Sequence, residues 1–395
     1  MLCRIRMLAD NRLIDFSLPE GGPLYRLGRS LGLPHDARGL IYLGLGLGVL
    51  TWLPLFILSA VDRVVTSGPT IPFLESLGTH VRLLVTIPLF FLTQALFGRR
   101  ARQAIGALVE SRVIPDSQLP RLNAVLSRAM RVRDSWLLET ALLAMTFILL
   151  GLGIRTDLPD EVSTWRAQTS GLTLAGHWYS VVSLPVFQFL IWRWCAHLLI
   201  WGAVLWTISR LDLQLVPTHP DLAGGLGPLG VAHTSLAMLN FGTSAMLTAS
   251  YAESILYGGA RLDRLVLPLS SAVVGSTLLA VLPLFLFMPR LIAVKQQGIL
   301  EYSPLAARYV REFDAKWVRR QPKSDEPLLG TADVQSLADL SNAFGVIRNM
   351  RVVPISGSQV LLIAAATALP TAPLVLFVVP LNELIIRSVR TILHV

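Results

Sequence analysis

His219 and Asp221 stand two residues apart in the run Pro217-Thr218-His219-Pro220-Asp221-Leu222-Ala223-Gly224-Gly225-Leu226-Gly227-Pro228-Leu229-Gly230. An imidazole beside a carboxylate offers acid, base or cation-ligand chemistry. Gly224, Gly225 and Gly227 present backbone amides of the kind that hold an anion or a lipid headgroup in a nest. A plainer reading stays open beside this one: the prolines set direction, Asp221 caps a helix start, and the glycines permit a tight turn with close packing. The glycine spacing does not match G-x-x-x-x-G-K-[ST], so nucleotide hydrolysis has no support. H-E-x-x-H and G-x-S-x-G are also missing from the chain, and no catalytic residue, metal ligand or cofactor is assigned.

A second group lies upstream. Between Tyr179 and Ser209 the chain runs 31 residues with one formal charge, Arg193, within Ile191-Trp192-Arg193-Trp194-Cys195-Ala196-His197. Arg193 and His197 are one helical turn apart and Trp201 continues their face. A guanidinium inside a membrane span costs about 3 kcal/mol on insertion scales, so it must point into protein or water and find a partner. Glu139 and Glu253 are the candidates. Arg193, His197, His219 and Asp221 are therefore the candidates for selectivity or gating. The competing reading of Arg193 is a structural lock between helices, paired with a carboxylate or stacked on Trp192 or Trp194.

A third group follows the glycine run. His233, Asn240, Ser244, Thr248 and Tyr251 recur at steps of 7, 4, 4 and 3, which keeps them on one side of a helix. A polar stripe on an apolar span suits a water-filled path. Helix packing through interhelical hydrogen bonds, with Gly242 and Ala245 allowing close approach, suits it equally.

These residues need a membrane scaffold. The 395-residue chain is 53% hydrophobic and only 15% charged, which describes several lipid-soluble segments. Gaps between charges mark spans at 39–61, 83–98, 140–154, 178–209, 265–289 and 352–382, with a more polar one at 231–252. The fold class expected is an all-α integral membrane protein with about seven (six to eight) transmembrane helices. Pro370 and Pro373 leave 352–382 as either one kinked span or a re-entrant hairpin. The first span starts well after the N-terminus with no small-residue cleavage site behind it, so it reads as retained. Gly44, Gly46 and Gly48 include a GxxxG spacing suited to close helix contact or oligomerisation.

Basic residues fix the expected orientation. With the N-terminus inside, 25 of the 34 Lys and Arg fall in 1–38, 99–135, 210–222 and 290–351, against 7 on the other side. Basic loops resist translocation, so the expected localisation is a bacterial inner (cytoplasmic) membrane, multi-pass, with the N-terminus cytoplasmic. The net charge of +9 is then a topology signal, with the lipid bilayer and anionic lipid headgroups as partners and no nucleic acid implied. The domain plan is a basic segment 1–38, two transmembrane helices in 39–98, an amphipathic helical hairpin at 99–135, a transmembrane core at 136–293 that contains the 217–230 loop, a cytoplasmic helical subdomain at 294–351, and a C-terminal transmembrane or re-entrant segment and tail at 352–395. Within the subdomain, Leu305, Tyr309, Phe313 and Trp317 recur every four residues, and Val334, Leu337, Leu340, Phe344 and Ile347 mark a second helix. Cys3 and Cys195 are the only cysteines, which supports neither a disulfide framework nor a Cys-based zinc site.

An Arg- and Trp-rich helix, then Ser209-Arg210-Leu211-Asp212, then Pro-Thr-His-Pro-Asp-x-Ala-Gly-Gly-Leu-Gly resembles a family of uncharacterised bacterial multi-span inner-membrane proteins. The resemblance covers residues 188–230 and implies no activity. The residues themselves favour a membrane channel or transport protein, for small anions if Arg193 faces the path, most simply built as a homo-oligomer around a polar axis. Two alternatives stand beside it: a membrane-embedded enzyme acting on a lipid-linked substrate through His219 and Asp221, and a non-catalytic scaffold or sensor working through its basic helices.

Overall fold

The computed structural model describes residues 21–22, 26, 30, 37–152, 164–168, 171–319 and 332–376. Apart from a hairpin of β1 (Ala167–Gln168) and β2 (Gly171–Leu172), every regular element among the described residues is helical. The segments before 37 and after 376, and the hydrophilic break at 321–326, lie wholly or mostly outside the described residues.

Helix α1 (Ala37–Val61) exposes Tyr42, Leu45, Val49, Leu50, Leu53 and Ile57 on one side, the pattern of a lipid-facing helix. Its other side packs on α2 (Leu77–Glu110). A Cβ at Gly44 would lie 2.8 Å from Phe91, and one at Gly48 would lie 2.7 Å from the Leu83 carbonyl, whereas Gly46 faces nothing within 4 Å. The GxxxG pair thus serves a helix contact inside the protomer.

Helix α3 (Leu119–Arg133) is followed by α4 (Trp136–Gly151), and both lean on α5 (Leu174–Ser209). The short α6 (Gly227–His233) leads into α7 (Leu236–Leu256), which packs against α2, α8 (Leu262–Val281) and α11 (Gly357–Ala368). A 3-10 segment, Leu282–Phe287, joins α8 to α9 (Met288–Phe313), and α9 pairs with α10 (Ala332–Asn349). The chain breaks at Leu369–Thr371 before α12 (Ala372–Leu376).

Among the described residues, five helices are long and apolar enough to cross a membrane: α1, α2, α5, the α8–α9 rod and the stretch Gly357–Leu374. A sixth is gained if α3 and α4, bent by 46°, count as one. Seven spans were expected from the charge gaps, and the difference has two physical causes. Helix α4 has 16 residues, short of the ~20 needed to cross. Helix α7 carries the polar stripe, which lowers its hydropathy. The expected pair 305–317 and 334–347 forms the α9–α10 hairpin, where the Tyr309 hydroxyl donates to the Asp333 carbonyl at 3.3 Å and the Trp317 indole donates to the Asp333 carboxylate at 3.0 Å.

Candidate functional site

The Arg193 guanidinium is buried in the bundle at 7% side-chain exposure. Its Nε lies 3.5 Å from Glu139 Oε1 on α4, and its Nη1 donates to Gln94 Oε1 on α2 at 3.1 Å. Three helices are therefore tied through one side chain. Beside this pair, Arg133 binds Asp134 through both carboxylate oxygens, at 2.9 and 2.7 Å. The amide of Gly22 donates to Asp134 Oδ1 at 2.8 Å, and a Cβ on Gly22 would sit 2.8 Å from Glu139 Oε1. His197 packs edge-on against Trp194, with ring centroids 6.0 Å apart.

The stripe is split between two helices, His233 ending α6 and Asn240, Ser244, Thr248 and Tyr251 lying on α7, and it is buried within the protomer. His233, Asn240, Ser244 and Thr248 are each less than 9% exposed, and Tyr251 is half-buried. This corrects the expectation that the stripe faces an axis between protomers: it turns toward the neighbouring helices. His233 accounts for its ring fully. Its Nε2 accepts from the Trp201 indole at 2.9 Å, and its Nδ1 faces the Ala280 carbonyl at 2.6 Å. A carbonyl only accepts, so His233 carries its proton on Nδ1. Trp201→Phe removes the donor and leaves Nε2 buried, so a loss of about 1–3 kcal/mol in stability is expected, read as heat survival of the purified protein. Lower on the stripe the accounting is incomplete, because Asn240 Nδ2 and Thr248 Oγ1 are buried with no hydrogen-bond partner among the described residues.

The 217–230 run forms a closed loop around its own aspartate. Asp221 Oδ1 accepts from the amides of Ala223 at 2.8 Å and Gly225 at 3.1 Å, Oδ2 accepts from Gly227 at 2.8 Å, and His219 Nδ1 lies 2.7 Å from Oδ1. Burial pushes the Asp221 carboxyl up, but the amides of Ala223, Gly227 and Gly225, followed by His219, outweigh it and hold the group below its ordinary value. The glycine amides expected to meet an outside anion thus meet an internal carboxylate. Gly224 and Gly225 have φ of 64° and 99°, which glycine adopts freely. A Cβ on Gly224 would be 3.2 Å from Met350. Arg351 closes the loop from outside, its amide donating to Leu222 O at 2.7 Å and its guanidinium to Asp221 O.

A further buried arginine was passed over by the spacing arguments. Arg82 is 1% exposed and sits in a π-helical turn, Val81–Thr86. Its Nη1 donates to the Tyr179 hydroxyl, and Tyr179 opens a second π-turn, Tyr179–Ser183. Such turns recur at functional positions in helices. The guanidinium lies over Phe187, 5.5 Å from the ring centroid, and its Nε has no hydrogen-bond partner among the described residues. Glu253 is not the partner of Arg193; its Oε1 accepts from the Gly78 amide at 2.8 Å.

Comparison of the chain with protein-family models, with curated proteins and with solved structures finds no match.

Proposed function

We propose that this chain is a membrane transport protein for small anions, with a path inside each protomer along α7 and the α2–α5 contact. One observation carries the reading: among the described residues Arg82 Nε, Asn240 Nδ2 and Thr248 Oγ1 are buried polar atoms without a protein hydrogen-bond partner, on the packed helices α2 and α7. Each such atom costs about 1–3 kcal/mol, and water or an ion in transit is the ordinary explanation for polar groups retained in this way. No carboxylate among the described residues lies within ion-pair distance of Arg82, Glu253 acting on it only from further away, and a guanidinium without a close counter-ion favours anions. Arg193 is neutralised by Glu139 and passes the selectivity role to Arg82. A homo-oligomer would carry one path per protomer. The excess of basic residues in the loops favours a bacterial inner membrane with the N-terminus cytoplasmic.

The test is chloride and nitrate flux in proteoliposomes. Asn240→Leu with Thr248→Val is expected to lower flux at least tenfold, and Arg82→Gln to reduce anion-over-cation preference, with assembly intact. Flux from the native protein no greater than from empty liposomes, or variants that conduct unchanged, would overturn the proposal.

A further inference from the structure

The elbow between α3 and α4 holds an open groove of about 630 Å³ lined by the polar Arg128, Arg131 and Ser135 and the apolar Val132, Leu138 and Ala141. Arg128 and Arg131 are three residues apart on α3 and share a face. Both are exposed, and among the described residues neither has a carboxylate within ion-pair distance. Their neighbour Arg133 differs, being neutralised by Asp134. Arg128 also borders a second groove of about 270 Å³ with Arg121 and Arg210, so positive charge is concentrated along this edge.

Two tryptophans set the level of the groove. Trp136, at the first turn of α4, is 69% exposed, and Trp206 is 50% exposed with the Arg210 guanidinium 4.6 Å from its ring centroid. Exposed tryptophan next to arginine is the composition of a membrane–water boundary. An apolar wall running from that boundary along α4, beneath two unpaired guanidinium groups, matches an acyl chain below a phosphate.

We propose that the α3–α4 elbow is a binding site for one anionic glycerophospholipid. Arg128 and Arg131 hold the headgroup phosphate, and Val132, Leu138 and Ala141 carry an acyl chain. The charge of the lipid must come from the headgroup as a whole: a zwitterionic lipid brings a phosphate and an ammonium together, and two uncompensated arginines reject the second.

Native mass spectrometry of the full chain, delipidated and then given phosphatidylglycerol or phosphatidylcholine, tests the assignment. The native protein is expected to retain phosphatidylglycerol over phosphatidylcholine by about thirtyfold, the scale set by two interfacial arginines at roughly 1 kcal/mol each. Arg128→Gln with Arg131→Gln abolishes the preference, and Arg128→Lys with Arg131→Lys keeps most of it. Inorganic phosphate in excess does not displace the lipid, since it lacks the acyl chain. Equal retention of both lipids by the native protein, an unchanged preference in the double Gln variant, or displacement by free phosphate each overturns the proposal. Lipid retention is read without a flux assay, so its failure is distinct from failure of the transport reading.

Discussion

Replacing Glu139 by leucine is expected to destabilise the protein by about 3–5 kcal/mol, because Arg193 then stays buried without its carboxylate. Removing one partner of a buried pair exposes the full desolvation penalty of the other, whereas replacing both removes it. Glu139→Leu with Arg193→Leu should therefore recover most of the loss. Heat survival of the monodisperse species in detergent, measured by size exclusion, reads both variants. A Glu139→Leu protein as robust as the native one would mean that the pair does not hold α4 to α5. A double variant no better than the single one would place the loss in packing, not charge.

Asp221→Ala carries the second large effect. Three backbone amides, those of Ala223, Gly225 and Gly227, lose the carboxylate that accepts from them, and charged hydrogen bonds of this kind are worth about 1.5–3 kcal/mol each before relaxation. A net loss of about 3 kcal/mol is expected, since water can reach part of the loop. The sign of the pH dependence follows from the carboxyl's lowered value in the fold. The stabilisation is complete above the ordinary aspartate range and is lost as pH falls through the lower, folded value. Native protein and Asp221→Ala should therefore converge in heat survival toward strongly acid pH and diverge toward neutrality. A constant difference across that range would show that the charge is not what holds the loop.

The legible part of this fold was the part written in long-range composition. The spans 39–61 and 178–209 follow from the absence of charge, and α1 and α5 occupy them with ends moved by a few residues. The partner of Arg193 was one of two carboxylates named on sequence alone, since a guanidinium in an apolar helix has few places to go. The direction of the α7 stripe was not legible. Periodicity puts Asn240, Ser244 and Thr248 on one side of α7, with His233 falling on the preceding α6, but a face toward a pore and a face toward α2 and α11 have the same period. Arg82 was missed because it lies at the edge of a charge-free stretch and resembles a flanking residue. Only the π-turn and the burial against Phe187 show that it is interior. The glycine run was ambiguous for a local reason: amides that cradle an external anion and amides that cradle Asp221 require the same sequence.

The Arg351 clamp has a consequence for synthesis. Its amide and guanidinium hold carbonyls at Leu222 and Asp221, 130 positions earlier in the chain for the guanidinium contact. Lys295 donates to the Met350 carbonyl at 2.8 Å, and Gly230 lies where a Cβ would meet the Pro354 carbonyl at 2.3 Å. Translation proceeds at about 5–20 residues per second, so residues 217–230 leave the ribosome several seconds or more before the segment that fastens them. Throughout that interval the turn is held by its own aspartate without the Arg351 clamp. The nascent chain thus has a defined window in which this junction is open to chaperones or proteases, and docking of the 350–355 connector is the event that ends it.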